Sequence, residues 1–217
     1  MQFKLFNSMV LSIMLFIVSL SMVVGVAIQD GLSLDTSLDG FEGYAIKPMT
    51  FEGTIGGIPV KDEGSIDEII GRMEVNYPGL TANLTALDVQ KEHSILKARD
   101  QKIGILCCPV AGTDWYGATQ HTIEDGIKYL NRVTGYCGAD AHTCSRVSCS
   151  YSAAIWLCNF RDNHMLATCS WIGTFAQDII NKCAHYSDDK DTPNVCGEEF
   201  DDENFRVIVR HDDSNGC

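Results

Sequence analysis

The chain has 217 residues, 45% of them hydrophobic and 21% charged, and its 29 acidic and 16 basic residues give a formal net charge of −13 at pH 7. That balance excludes a binder of nucleic acid, whose phosphates must be met by clustered Lys and Arg. It also excludes attachment to anionic lipid by charge alone.

Lys4 precedes an apolar run from Val10 to Ala27, interrupted only by Ser12, Ser19 and Ser21. Gly25 and Ala27 place small residues third-last and last. This pattern predicts a secretory signal peptide, residues 1–27, cut between Ala27 and Ile28. The competing reading is a membrane anchor, since the run approaches the ~20 residues that a bilayer span needs. No later stretch could span, so stable membrane insertion is not expected.

Residues 28–99 contain no cysteine and carry 12 acidic and 6 basic side chains. Glycine punctuates them in "DGFEG" and "FEGTIGGIPV". Ser65 and Glu68 form a capping box ahead of Ile69 and Ile70, and Gly71 is expected to stop that helix early. Few large apolar residues are present for a core of their own. The segment is therefore read as a propeptide or flexible N-terminal region. Lys97-Ala98-Arg99 offers a basic processing site, with the cut after Arg99. Asn83-Leu84-Thr85 is an N-glycosylation acceptor, expected to leave with the propeptide.

Residues 100–217 carry all ten cysteines, and 17 acidic against 9 basic residues. "KIGILCC" (102–108) reads as a first strand entering the loop "PVAGTDWYGA". In "TIEDGIKYLNRVTG" (122–135), Ile123, Ile127 and Leu130 share one helical face. Thr122 is the expected cap and Gly135 the stop. Gly126 inside costs up to ~1 kcal/mol. "CSRVSCSYSAAIWLCN" (144–159) alternates and then runs apolar, as a strand does. "RDNH" (161–164) is turn chemistry, and "MLATC" is expected to return as the second strand of a hairpin. "SWIGTFAQDIINKC" (170–183), capped by Ser170, is a second helix. Its Ile172, Phe175, Ala176, Ile179, Ile180 and Cys183 form one stripe. Residues 186–204 read as a polar loop with five Asp and three Glu, without the regular Asp spacing of a calcium loop. In "FRVIVRH" (205–211), Phe205, Val207 and Val209 alternate inward, with Arg206 and Arg210 outward.

An even, dense cysteine set behind a signal peptide reads as a disulfide framework. Zinc would want paired Cys-x-x-Cys or His ligands, and a redox site would want Cys-x-x-Cys. Neither occurs. Spacing alone leaves the pairing open. The expected fold class is α+β: an α/β sandwich with two helices packed on one face of a mainly antiparallel sheet, held by five disulfides.

The order "GILCC", helix, "CSRVSCS", strand, Cys-helix-Cys, "VCG", alternating strand and final Cys resembles the killer-protein-4-like family of fungal secreted proteins, over about residues 100–217. The resemblance implies an α/β sandwich with five bridges: Cys107 with Cys183, Cys108 with Cys196, Cys137 with Cys169, Cys144 with Cys158, and Cys149 with Cys217. It also implies a killer-toxin-like function.

No hydrolase elbow, phosphate loop or metalloprotease motif is present. His121, His142, His164, His185 and His211 are scattered. His121 with Glu124, one helical turn on, is the candidate acid–base pair for a small hydrolase such as a ribonuclease. Trp115-Tyr116, between Gly112 and Gly117, is the candidate binding loop. The expectation is a secreted, extracellular toxin or virulence effector, a non-enzymatic monomer without cofactor or metal. It would act through a protein target on or in another cell, not through nucleic acid. On reduction the secreted protein should gain ten hydrogens, one per cysteine. Intact-mass measurement reads this, together with a mature start near Asp100. Free thiols before reduction would contradict the framework.

Overall fold

The computed structural model describes residues 41, 43–84, 102–186, 192–214 and 217. The strands are β1 (Ala45–Ile46), β2 (Thr50–Ile55), β3 (Ile58–Glu63), β4 (Lys102–Cys107), β5 (Ala118–Thr119), β6 (Val133–Ala139), β7 (Thr143–Ser150), β8 (Ala153–Asn159), β9 (Met165–Thr168), β10 (Asn194–Val195), β11 (Gly197–Asp201) and β12 (Phe205–His211). The helices with full bounds are α1 (Ile66–Asn76), α2 (Gln120–Arg132) and α3 (Cys169–Cys183). Residues 80–84 are also helical.

A six-stranded sheet has the order β1-β7-β8-β12-β11-β4. Only β1 with β7 is parallel in it. A four-stranded antiparallel sheet has the order β3-β2-β6-β9, and β10 pairs with β5. Helices α2 and α3 pack on each other and on the larger sheet. Their Ile123, Ile127, Leu130, Ile172 and Phe175 meet Ile155 and Leu157 of β8 and Val207 and Val209 of β12 in one core. The fold is thus α+β and mainly antiparallel, with both long helices on one face. Within α2, a Cβ on Gly126 would lie 2.6 Å from Ser148 Oγ. The glycine that weakens the helix in isolation lets it sit close on β7.

The other face of the sheet is covered too. Trp156, Ala154, Cys158 and Ile208 join Phe41 and Trp115 in a second buried cluster. Arg206 and Arg210 do point away from the helices, as alternation requires, but not into water. Arg206 lies 4.7 Å from the Phe160 ring centroid and ion-pairs with Glu198 at 2.7 Å. Arg210 lies 4.9 Å from Phe41 and 5.5 Å from Trp156.

Several expectations need correction. Helix α2 starts at Gln120, after Thr119, and leaves Thr122 buried within it. It runs straight into β6, where Gly135 is a strand residue opposite Gly53. A Cβ on Gly53 would meet Thr134 O at 2.3 Å, so this pair of glycines lets two backbones approach. Helix α3 begins at Cys169, after Thr168, and Thr168 makes no side-chain cap bond. The capping box at Ser65 and Glu68 is present, but α1 passes through Gly71 to Asn76. Strand β9 pairs with β6, not β8. The hairpin partner of β8 is β7. Part of the acidic loop is strand β11, with Glu198, Glu199 and Asp201 buried. Lys102 Nζ approaches Glu199 at 3.6 Å and also binds Asp178, so cations make that burial tolerable.

Residues 41–84 are not a loose segment. Met49, Phe51, Ile55, Ile66, Ile69 and Ile70 lie in the same core as α2 and α3. The buried apolar residues of 41–84 pool with those of the cysteine-rich part. Phe51 is 1% exposed, so Phe51→Ala should cost about 3–5 kcal/mol. Urea unfolding of the full chain reads this. An unchanged midpoint would mean that the segment adds nothing to the folded core.

Candidate binding surface

The bonds Cys107–Cys183, Cys108–Cys196, Cys137–Cys169, Cys144–Cys158 and Cys149–Cys217 take all ten cysteines. The five pairs are those that the resemblance implies. Cys144 and Cys158 sit directly opposite each other on β7 and β8, so the 144–159 stretch carries a cross-strand bridge. Cys149, Asp212 and Cys217 cluster closely enough to hold an ion. Both sulfurs are spent in their own bond, which removes the thiolates that a metal would need.

The loop 109–117 separates its two aromatics. It turns at Thr113, whose N–H donates to Val110 O at 3.1 Å. Adjacent side chains on extended backbone point to opposite sides. Trp115 goes in, 7% exposed, with its ring centroid 6.0 Å from that of Phe41. Tyr116 goes out, 52% exposed. Its carbonyl accepts from His211 N at 2.9 Å, and its ring stacks on His211 at 4.5 Å. The Tyr116 hydroxyl donates to the Asp213 carboxylate. His211 Nε2 lies 2.6 Å from the other Asp213 oxygen. The bond to Tyr116 first, and the one to His211 second, hold the Asp213 carboxyl below its ordinary range. The same bond to the ionised carboxylate pushes the Tyr116 hydroxyl up.

A second tyrosine stands at the same end of the sheet. The β7–β8 turn places Tyr151 at φ +47° and Ser152 at φ +57°, and Tyr151 is 88% exposed. Positive φ is uncommon for such residues, so the turn needs external support. Ser152 N donates to Cys217 O at 3.4 Å, and Asp212 N donates to Ser152 O at 3.0 Å. The Cys149–Cys217 bond and Arg146, which donates to Ser214 Oγ at 3.1 Å, complete the clamp. Asp212 is buried and accepts from Ser214 N and Oγ at 2.9 and 2.6 Å. The chain end is thereby fastened to the hairpin, and His211 of that chain end carries Tyr116.

The remaining candidates do not converge. Glu124 accepts from Gln120 Nε2 at 2.7 Å, one turn back, while His121 is exposed on the surface of α2. His142 meets Asp162 at 2.8 Å, His164 meets Thr50 Oγ1 at 3.2 Å, and His185 meets Cys183 O at 3.2 Å. Asn83 is exposed, as a glycan acceptor must be. Ala27 and Arg99 lie outside the described residues. The sequence points to Tyr116 and offers His211 only as one of five scattered histidines, and nothing in it marks Tyr151 or Asp213. "SYSA" lacks the Asn-Gly or Asp-Gly signature of a tight hairpin, so the turn gave no local signal.

Tyr116→Phe removes the donor to Asp213, so the Asp213 pKa should rise toward the ordinary carboxylate value of about 3.9. Because the native value is depressed, the stabilisation from this bond is present above about pH 4 and is lost as pH falls through the native value. Carboxyl-carbon NMR titration of both proteins reads the shift. Identical titration curves would remove the bond from the account.

The chain matches no family model, and no curated protein and no solved structure matches it.

Proposed function

We propose that the chain is a secreted, disulfide-stapled toxin or effector that acts without catalysis on another cell, contacting a protein target through the Tyr116–Tyr151 end. The observation that carries this reading is a pair of exposed tyrosines on a rigid base: one stacked and hydrogen-bonded, the other on a turn held by the Cys149–Cys217 bond. Tyrosine supplies large contact area at low entropic cost, and binding hot spots are enriched in it. Rigidity of the unbound surface reduces what ordering costs on association.

Secretion is supported by the five bonds, which persist in oxidising compartments. Among the described residues, no helix is long and apolar enough to cross a membrane. The resemblance to fungal killer toxins supports the target being another cell.

Purified protein applied to a panel of fungal cells tests the reading through growth. Replacing both Tyr116 and Tyr151 by Ala should lower potency by about tenfold or more, with the melting temperature within a few degrees of wild type. Full potency in that variant would remove the surface from the proposal. Ribonuclease activity in the purified protein that His121→Ala abolishes would replace it with the hydrolase reading.

A further inference from the structure

The N-terminal segment and the cysteine-rich part share a core, yet no disulfide joins them. All ten cysteines lie from Cys107 onward, and each is bonded to another of that set. We infer that residues 41–84 remain bound, as a non-covalently held second chain, when a protease hydrolyses a peptide bond within 85–101. The product of processing is then a two-chain protein and not a released cysteine-rich domain. The inference stands apart from the target-cell reading and does not rest on it.

Three contacts carry it, on different surfaces. First, β2 pairs with β6 through six register positions, Thr50 opposite Gly138 to Ile55 opposite Val133. Without this segment, β6 becomes an open sheet edge with unpaired N–H and C=O groups. Second, α1 lies on the helix side of the large sheet, against β7 and α2. Its Ile66, Ile69 and Ile70 are buried, and the Asp67 carboxylate accepts from Cys149 N at 3.3 Å. Third, the chain reaches the opposite face of the same sheet. There the Phe41 ring centroid lies 4.8 Å from that of Trp156 and 4.9 Å from the Arg210 guanidinium. On the way, β1 pairs with β7, and Lys47 binds Asp140 at 2.8 Å.

The segment therefore grips both faces of one sheet and the edge of another. Backbone hydrogen bonds, apolar burial and the bonds of a half-buried carboxylate all have to be given up together on release. A glycan on Asn83 would travel with the mature particle and not be discarded with a propeptide.

The test uses the full chain with the recognition sequence of a site-specific protease inserted between Glu92 and His93. After cutting, a denaturing, non-reducing gel should show two polypeptides. Under native conditions both should elute together at the volume of the uncut protein, and capture through a C-terminal tag should retain the N-terminal piece. An N-terminal piece that elutes separately, or that washes off the captured domain, overturns the inference. Phe41→Ala, cut in the same way, loosens one of the two faces and should release the piece at least tenfold faster on dilution. A release rate equal to that of the unsubstituted protein would show that the grip does not extend to both faces.

Discussion

Strand β8 is buried along its whole length, and on both faces. That condition organises the rest of the molecule. One face presents Ile155 and Leu157 and is covered by two helices. The other presents Ala154, Trp156 and Cys158, and among the described residues no helix covers it. Antiparallel sheets commonly leave such a face in water. Here an aromatic layer covers it: Phe41 from the N-terminal segment, Trp115 from a loop, and the guanidinium groups of Arg206 and Arg210 stacked over the rings. A planar guanidinium can lie on an aromatic face while its edge keeps hydrogen bonds. Arg206 is therefore largely covered, its side chain 18% exposed, with the buried Glu198 as its counter-ion. Burial pushes the Glu198 carboxyl up while Arg206 pulls it down.

A layer one side chain thick has little internal cohesion, and three of the five bridges lie in it or against it. Cys144, Cys149, Cys158 and Cys196 all belong to the second cluster, with Cys108 and Cys217 packed against it. In the simple loop model, each bond removes unfolded-chain entropy of about 2–4 kcal/mol. Their positions also matter for the surface. The Cys149–Cys217 bond fixes the β7–β8 turn and the chain end together, and Tyr116, His211 and Asp213 are ordered on that frame. The exposed tyrosines are thus a consequence of how the inner layer is fastened, since Tyr116 faces out because Trp115 faces in.

The same constraint explains the N-terminal segment. A cysteine-free, glycine-punctuated stretch reads as dispensable when it is judged alone, because its own apolar residues cannot enclose a core. It becomes structural when its Phe51, Ile66 and Ile69 complete a core begun by α2 and α3, and when Phe41 completes the layer on the far side. Absence of disulfides in a segment says nothing about how tightly it is packed.

Elements whose signal is local are legible in the residues alone. The stripes of Ile123, Ile127 and Leu130, and of Ile172, Phe175 and Ile179, mark two helices with one apolar face each. The alternation from Phe205 to His211 marks a strand, Ser65 with Glu68 marks a helix start, and the cysteine count marks a disulfide framework. Periodicity reports which face of an element is apolar, and caps report where it begins. Neither reports what will cover that face. Long-range packing puts β9 beside β6, makes Glu199 and Asp201 part of a buried strand, and roofs Arg206 and Arg210 with rings. These outcomes depend on groups far along the chain: Lys102 for Glu199 and Phe41 for Arg210. Cysteine spacing likewise left the pairing open, because a bond requires two Cα atoms within about 7 Å, and proximity of that kind is produced by packing.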